Sequence, residues 1–265
     1  MIENKITRMV EKDGVPYLVF TPFLGLSFLS HGFSTRLGGV SEGEFSSMNL
    51  SYERGDKPEA VDENYRRICQ AMGVSDENLV FSQQVHDTRV VRVEKPGRYL
   101  KGIDGMVTDT PGLVLTTSYA DCVPLFFADP IKKAVGLSHS GWRGTCGEIG
   151  KATVNKMQEE FGSVPSDILA VIGPSICGSC YEVSQEVAEK FPSEAIWQKK
   201  DSPKDKYQLD LWKANQLVLK GAGLKEENIY LSGVCTCCNS NVLFSHRASG
   251  GKRGNLNGFI SINIF

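Results

Sequence analysis

Three side chains that bind soft or borderline metal ions lie at the ends of apolar segments in this chain. His139 follows the apolar run at residues 133–138, and Cys122 precedes the one at residues 123–126. His86 lies at a third boundary between polar and apolar sequence. The intervals of 36 (122 − 86) and 17 (139 − 122) residues are too long for a local finger, so the three must converge through the fold. Two imidazoles and one thiolate suit zinc, and three protein ligands leave its fourth position for water or substrate.

The same residues allow two other interpretations. In the first, Cys122 is a thiolate nucleophile activated by His139, with a carboxylate orienting the base, as in a cysteine hydrolase. In the second, the two histidines are hydrogen-bonded structural residues and Cys122 is a buried thiol. Asp87 and Asp121 flank two of these residues and are candidates to orient an imidazole. A metal assay separates the zinc site from the hydrolase, because a zinc-bound thiolate is not a free nucleophile.

Arginines in or beside glycine-rich loops form a second group of candidate functional residues. They are Arg36, Arg143, Arg247 and Arg253. Planar guanidinium groups beside bare backbone are typical of sites that bind phosphate or carboxylate. Each arginine alone is equally well explained as a solvated loop residue, but together they predict an anionic substrate.

Five of the eight cysteines are clustered along the chain. They are present as Cys177-x-x-Cys180 and as Cys235-x-Cys237-Cys238. Such spacing is found in structural zinc sites and in redox pairs. Because Cys180 lies in what reads as a shaped loop after a Gly-Pro turn, we predict instead that these cysteines mainly contribute to packing.

The sequence around these residues predicts several helices and many short strands. Helices are predicted over residues 58–72, 147–161, 184–191 and 210–222. Strands are predicted over residues 79–81, 90–93, 105–108, 113–116, 125–128, 134–137, 168–172 and 229–234. Because strands come in runs as well as between helices, the pattern favours an α+β fold with mixed sheets over a doubly wound parallel sheet. The helix predicted from residue 147 would direct free backbone N–H groups at the site, which suits an anion.

Composition and charge are those of ordinary globular proteins. Of the 265 residues, 41% are hydrophobic and 23% are charged. The net charge of -2 argues against a general nucleic-acid-binding surface. No segment approaches the roughly 20 apolar residues of a membrane span, and residues 1–8 lack the apolar run of a secretion signal. These features predict a cytoplasmic location, with no nucleic acid, no membrane and no obligate protein as partner.

A series of short motifs runs through most of the chain in a fixed order. The motifs are Arg-x-Gly-Gly-Val-Ser at residues 36–41, Asn-Leu at 49–50, Gln-Val-His at 84–86, Asp-Gly-Met-Val-Thr at 104–108, Ala-Asp-Cys-x-Pro at 120–124, His-Ser-Gly-Trp-Arg-Gly at 139–144, Gly-Pro-x-Ile at 173–176, Cys-Tyr-Glu-Val at 180–183, Cys-Thr at 235–236 and Phe-Ser-His-Arg at 244–247. In these motifs and in their order, the chain resembles the YfiH/YlmD group, the bacterial laccase-domain or multicopper polyphenol oxidase-like proteins.

The resemblance implies both a metal site and a fold. In the YfiH/YlmD group, the His, Cys and His of these motifs bind one zinc ion, and here they correspond to His86, Cys122 and His139. The group's fold is a single α+β domain of mixed β-sheets with outer helices, similar to bacterial toxin cysteine deamidases. It would span residues 1–265 of this chain.

Three residues depart from the group's pattern. Asp87 stands where glycine is common, His246 replaces a tyrosine, and Ala248 stands where a second arginine usually follows. These departures alter the surroundings of the site but leave the three implied metal ligands unchanged.

The group carries three kinds of activity: copper-dependent oxidation of phenols, purine nucleoside chemistry, and editing of a nucleotide-linked muramyl peptidoglycan precursor by an amidase. A laccase needs several coppers and many imidazole ligands. This chain has four histidines in all, so we expect any copper-dependent phenol oxidation to be adventitious. We predict a zinc-dependent purine nucleoside phosphorylase, acting on adenosine, inosine or methylthioadenosine and phosphate, with adenosine deaminase activity. The alternatives are the precursor amidase and a non-enzymatic zinc-stabilised binding protein.

Five polar residues are predicted to bind the small-molecule substrates, a nucleoside and phosphate. Arg36, Arg143 and Arg247 hold phosphate or another anionic group of the substrate. Asn49 and Gln84 fix polar edges of the substrate.

Three residues are predicted to act in catalysis. One zinc ion at the His–Cys–His site polarises the substrate or activates water, so Cys122 is both ligand and catalytic residue. Asp121 or Asp104 is the candidate proton shuttle. Substitution of Cys122 by alanine should abolish metal loading and turnover together.

Overall fold

The structure, a computed structural model, describes residues 2–200 and 203–264. The strands in these ranges are β1 (Thr7–Lys12), β2 (Val15–Phe20), β3 (Leu29–Ser34), β4 (Leu79–Gln83), β5 (Val90–Arg92), β6 (Gly97–Lys101), β7 (Gly105–Thr108), β8 (Val114–Tyr119), β9 (Val123–Asp129), β10 (Ala134–Ser140), β11 (Leu169–Ile172), β12 (Glu182–Ser184), β13 (Ile196–Trp197), β14 (Lys206–Leu209), β15 (Ile229–Leu231) and β16 (Leu256–Ile262). The helices are α1 (Thr21–Leu24), α2 (Pro58–Met72), α3 (Trp142–Cys146), α4 (Ile149–Phe161), α5 (Gln185–Ala188), α6 (Leu211–Gly221) and α7 (His246–Ser249).

These strands form two large sheets and one small sheet. The seven-stranded sheet has the order β1-β2-β3-β16-β8-β4-β6, the six-stranded sheet β15-β11-β9-β10-β7-β5, and the three-stranded sheet β12-β14-β13. Most neighbouring strands are antiparallel, but β4 is parallel to β6 and β8, β11 to β15, and β5 to β7. The predicted α+β fold with mixed sheets is therefore confirmed.

Apolar side chains from both large sheets share one core, which holds the strands that carry the candidate site. Leu18 and Phe20 of β2 are fully buried in it, as are Phe126 of β9 and Leu137 of β10. The Phe20 and Phe126 rings meet edge to face with centroids 5.0 Å apart, a geometry that aromatic pairs prefer. β9 and β10 are buried along their whole length, as expected of strands covered on both faces.

Two long helices cover the outer faces of the large sheets. α2 buries Val61, Tyr65 and Ile68 at helical spacing against β1, β2 and β3. It ends at Gly73, whose φ of 73° is in the left-handed region that favours glycine. α4 packs on β5, β7 and β10. Within the described ranges, no helix has the length and apolar character needed to cross a membrane.

The helix predicted over residues 147–161 is interrupted near its start. Glu148 has a φ of 60°, and a residue in this left-handed conformation cannot continue a right-handed helix. α4 therefore begins at Ile149, and the shorter α3 occupies the turn before it. The helix therefore begins two residues later than predicted, and the direction of its free N–H groups toward the site stays a prediction.

Candidate metal centre and adjoining pocket

Loop and strand ends from both large sheets bring His86, Cys122 and His139 together. His86 lies in the loop between β4 and β5, Cys122 directly precedes β9, and His139 lies in β10. The antiparallel pairing of β9 with β10 places His139 opposite Pro124, two residues beyond Cys122. The candidate ligand atoms of the three residues all lie within 4.8 Å of one another, and His86 Nε2 is 4.0 Å from Cys122 Sγ. This cluster can hold a metal ion.

Asp104 orients two of the three candidate ligands. Its buried carboxylate accepts a hydrogen bond from His139 Nδ1 at 2.9 Å. It also accepts from the backbone N–H groups of Val85, His86 and Asp87 at 2.9, 3.0 and 3.1 Å. These bonds hold His86 in a left-handed conformation with a φ of 64°, which is uncommon for a residue other than glycine. Because a carboxylate only accepts, the His139 Nδ1 carries the proton, and Nε2 is the atom free to bind a metal.

The thiol of Cys122 and the imidazole of His139 stabilise each other's charged forms. Burial raises the pKa of Cys122, but the neighbouring His139 and His86 outweigh it and lower this pKa to about 6. Burial lowers the pKa of His139, but Cys122 and Asp104 outweigh it and raise this pKa to about 9. Burial likewise raises the pKa of Asp104, and the hydrogen bonds from His139 and the loop N–H groups bring it below its ordinary value. Without metal, the centre is therefore a thiolate–imidazolium pair at neutral pH.

Gly141 gives the three side chains the room to approach. A Cβ atom at this position would lie 3.0 Å from His86 Cδ2 and 3.1 Å from Cys122 Sγ. Few real Cβ atoms have neighbours this close, so a larger residue would displace the candidate ligands. The close approach of the three side chains therefore explains why glycine stands at this position of the His-Ser-Gly-Trp-Arg-Gly motif.

Asp121 connects two segments late in the chain to the metal centre by hydrogen bonds. It is buried, has a φ of 87°, and precedes Cys122 directly. One carboxylate oxygen accepts from the Thr236 hydroxyl and the other from the Arg247 backbone N–H, both at 2.6 Å. Asp121 and Asp104 therefore both have each oxygen hydrogen-bonded, and the proton-shuttle role of either one stays a prediction.

A cavity of about 460 Å³ adjoins the metal centre. Its lining includes all three candidate ligands, and also aromatic and cationic side chains from neighbouring strands, helices and loops. Representative members of the second group are Phe81, Tyr181, His246, Arg247 and Arg253. The volume lies within the range of roughly 300–1,000 Å³ that is usual for small-molecule sites.

Two of the five predicted substrate residues line this cavity, Gln84 and Arg247. The Gln84 side-chain amide donates to the Ser118 carbonyl at 2.9 Å and accepts from the Ser118 N–H at 2.7 Å, which leaves it little capacity for a substrate. The Arg247 guanidinium donates to the carbonyls of Cys180 and Glu182 at 3.2 and 3.0 Å, beside the cavity.

The other three predicted substrate residues are not among those found to line the cavity in the described part of the chain. The Arg36 guanidinium donates to two loop carbonyls and covers the Phe244 ring at 4.6 Å. Asn49 is buried, and its side-chain oxygen accepts from the Asn255 N–H at 2.9 Å. The Arg143 guanidinium lies 4.3 Å from the centroid of the neighbouring tryptophan ring. Arg36 and Asn49 thus connect distant loops around the cavity.

Two further arginines lie near the cavity: Arg253, which belongs to the arginines predicted to bind an anion but not to the five predicted substrate residues, and Arg54, which was not singled out from the sequence. Arg253 lines the cavity, and Arg54 follows the lining residue Glu53. Burial and the nearby Arg54 charge lower the pKa of Arg253 to about 10. Burial and Arg253 also lower the pKa of His246, whose Nδ1 lies 3.5 Å from an Arg253 nitrogen. The glycine-rich loop around Arg253 was the available sequence signal, whereas nothing in the sequence singles out Arg54.

Mixed sheets and a His–Cys–His cluster are the features that the resemblance to laccase-domain proteins led us to expect. A sequence model of the family described as "Multi-copper polyphenol oxidoreductase laccase" matches residues 30–263, and the chain belongs to this family. The family relationship expected from the motifs is therefore confirmed.

Several named relatives and solved structures are similar over most of their length. "Purine nucleoside phosphorylase YlmD" of Bacillus subtilis is 40% identical over 243 residues, which are 87% of each chain. "Purine nucleoside phosphorylase" of Deinococcus radiodurans is 38% identical over 85% of this chain and 86% of its own. The crystal structure of YlmD from Geobacillus stearothermophilus has a TM-score of 0.90 at 34% identity and covers 98% of this chain and 100% of its own.

Proposed function

We propose that this chain is a zinc-dependent purine nucleoside phosphorylase that also deaminates adenosine. The observation that carries the proposal is one shared cavity, which is lined by the three candidate metal ligands and by Arg247 and Arg253. Such a cavity can hold a nucleoside and a phosphate side by side. The names of the relatives from Bacillus subtilis and Deinococcus radiodurans support the phosphorylase part of this proposal.

The donor set fits zinc. Tetrahedral zinc, with bonds of about 2.0 Å to nitrogen and about 2.3 Å to sulfur, separates its donor atoms by roughly 3.3–3.8 Å. The 4.0 Å between His86 Nε2 and Cys122 Sγ is close to this separation. Zinc bound by His86, Cys122 and His139 would supply Lewis acidity and a bound water of lowered pKa.

A multicopper oxidase is a poor fit to the same residues. Of the two histidines outside the cluster, His31 is buried and its Nε2 accepts from the Phe20 N–H at 2.8 Å. The other, His246, lies beside Arg253. Neither lies in the His–Cys–His cluster, and a multicopper centre requires many imidazole ligands. Any phenol oxidation would therefore come from copper bound adventitiously in place of zinc.

The cavity suggests how the chain's own residues serve phosphorolysis. In this reaction a phosphate oxygen forms a bond to ribose C1′, the C1′–nitrogen bond to the purine breaks, and the base takes the electron pair and then a proton. We assign phosphate binding to Arg247 and Arg253, since guanidinium groups bind phosphate in bidentate fashion. Phe81 and Tyr181 offer ring surface for the base. The attacking dihydrogen phosphate brings this proton, and Asp121 is the preferred shuttle for it, because Asp121 lines the cavity and Asp104 is fully buried.

Product analysis tests the proposal directly. Purified zinc-loaded protein would be incubated with adenosine, with and without phosphate, and the products separated by chromatography. Adenine that forms only with phosphate supports phosphorolysis, and inosine that forms without it supports deamination. Adenosine that survives both incubations would refute the proposal.

The phosphate assignment has its own test. Replacing Arg253 by glutamine should raise the KM for phosphate by about tenfold or more, because a charge-assisted hydrogen bond is lost, and should affect the KM for adenosine less. Arg143→Gln is the matched control, since Arg143 was expected from the sequence to bind phosphate but is not found among the residues lining the cavity. If Arg143→Gln raised the KM for phosphate and Arg253→Gln did not, phosphate binding would be assigned to Arg143, as the sequence predicted.

One observation favours a second candidate function, the precursor amidase. The Cys122 thiolate and the His139 imidazolium form the pair that a cysteine amidase uses. A metal-free protein that cleaves an amide, and loses this activity when zinc is added, would support the amidase. An amidase that requires zinc, or no cleavage under either condition, would rule out the thiolate mechanism.

A further inference from the structure

Four cysteines outside the candidate active centre converge in the fold. Cys177 and Cys180 belong to the loop after β11, and Cys235 and Cys238 to the loop after β15. Their four sulfur atoms all lie within 4.8 Å of one another, and those of Cys180 and Cys238 are 3.5 Å apart. Each pair has the Cys-x-x-Cys spacing by which a short turn presents two sulfur atoms to one metal ion.

The two loops are held in register by the backbone. β11 and β15 are parallel neighbours, and an isolated parallel bridge joins Ser175 to Cys235 just beyond them. The Ser175 N–H donates to the Val234 carbonyl at 3.1 Å, and the Thr236 N–H donates to the Ser175 carbonyl at 3.1 Å. The convergence of the sulfur atoms therefore follows from sheet pairing.

Two backbone N–H donors and two cationic side chains lie beside the sulfur cluster. Cys235 Sγ accepts from the backbone N–H groups of Cys177 and Cys238 at 3.3 and 3.4 Å, and such bonds stabilise a negatively charged sulfur. Lys199 and Arg247 donate to carbonyls of residues 179 and 180, which places two positive charges beside the cluster. Both features reduce the cost of gathering several thiolates in one place.

We propose that Cys177, Cys180, Cys235 and Cys238 bind one structural zinc ion. Four sulfur donors in a tetrahedron are the ligand set typical of structural zinc, with the sulfur atoms about 3.8 Å apart. The separations found here are within about an ångström of that value. The four thiols lose their protons to solvent as the ion binds, so no oxidant or other reactant is required.

The ion would hold together the loops after β11 and β15, which contact residues of the candidate active centre. The Thr236 hydroxyl, between two of the cysteines, donates to Asp121, and the Ile176 N–H donates to the Asp121 carbonyl at 3.0 Å. The Cys180 carbonyl accepts from Arg247. The two metal sites share no residue, so the tetrathiolate site stands whether or not the chain acts on nucleosides.

Metal analysis of a variant that lacks the first site is the decisive experiment. The double variant His86→Ala, Cys122→Ala would be purified without an affinity tag, under reducing conditions, and its zinc content measured by mass spectrometry. We expect one zinc ion per chain in this variant and two in the natural protein. A folded double variant without zinc would overturn the proposal.

Variants at the cysteines themselves provide the second test. Cys180→Ser combined with Cys238→Ser should lose one zinc ion per chain, whereas Cys237→Ser should lose none, because Cys237 is in the same loop but outside the cluster. If removal of the cysteine pair unfolds the protein, the natural protein with cobalt in place of zinc provides a test that needs no variant. The visible spectrum should then show a tetrahedral tetrathiolate ion. A spectrum of the His–Cys–His site alone, or an intact mass showing a disulfide in place of metal, would contradict the proposal.

Discussion

At the scale of single residues, Asp104 organises the candidate metal centre. Its carboxylate joins the His139 imidazole to three successive N–H groups of the loop that carries His86. The same bonds set the imidazole orientation and stabilise the left-handed backbone of the loop. Asp104 is fully buried, so it is suited to orient ligands rather than to contact substrate.

We predict that Asp104→Asn lowers the zinc affinity of the centre by about 10- to 100-fold, because an amide cannot accept all four hydrogen bonds. Chelator competition would measure the affinity, and circular dichroism would verify the fold. Asp87→Asn is the control, since it removes a nearby carboxylate for which the described residues show a single hydrogen bond, from its neighbour's N–H. Equal losses in both variants would indicate a general effect of charge instead of orientation by Asp104.

The protonation of His139 predicts how metal binding depends on pH. With pKa values of about 6 for Cys122 and about 9 for His139, the metal-free centre between these values holds a thiolate and an imidazolium. Binding then displaces one proton from His139, so zinc affinity should rise about tenfold per pH unit in this window and level off above it. Chelator competition over this pH range would measure how zinc affinity changes, with the Cys122→Ala variant as the background measurement. A flat profile would show that His139 is already neutral.

At the scale of elements, the β9–β10 hairpin sets the distance between two of the ligands. Asp129 accepts from the N–H groups of Ile131 and Lys132 at 2.8 and 2.9 Å, which closes the turn. The resulting register places His139 near Cys122. A slip of one residue would turn His139 to the opposite face of the sheet, because side chains alternate along a strand.

The connection from β10 to α3 provides a prediction at this scale. Gly141→Ala should lower zinc affinity by about tenfold, since the added Cβ pushes on His86 and Cys122 while the fold remains intact. Metal content and chelator competition would measure the loss. Gly25→Ala is the matched control, because nothing lies within 4 Å of its added Cβ. Unchanged affinity in Gly141→Ala would mean that the ligands can move aside.

At the scale of the whole molecule, the packing of the two large sheets holds the ligands in place. Phe126 of β9 meets Phe20 across the core, and a Cβ on Gly258 of β16 would lie 2.9 Å from the Phe126 ring. Near the other edge, Asn4 and Thr7 donate to the Ser232 carbonyl at 2.7 and 3.1 Å, which joins the first strand to the loop after β15.

Phe126→Ala should therefore destabilise the protein by about 3–5 kcal/mol, the usual cost of a cavity left by a buried aromatic ring. Thermal and denaturant unfolding would measure the change. Ile131→Ala, at a side chain that is 69% exposed, should have little effect by comparison. Similar losses in the two variants would show that the sheets do not depend on this contact.

Local chemistry explains what the sequence by itself determined. The helix over residues 58–72 was predicted with both ends, because its apolar period and Gly73 act within a few turns. The residues of the candidate metal centre were singled out because donor type and strand-end position can both be read from short segments. The mixed sheets followed from the succession of strands and helices, whereas the extent of a single domain stays a prediction.

Only the tertiary structure decided which side chains share the cavity and which cysteines meet. A guanidinium reaches far and binds whatever acceptor the fold brings near: Arg36 donates to a carbonyl 204 residues away, while Arg253 faces the cavity. The Cys-x-x-Cys spacings were visible in the sequence, but their convergence depends on the parallel pairing of β11 with β15. Contacts between distant segments carry no local signal, because they arise only when the sheets have formed.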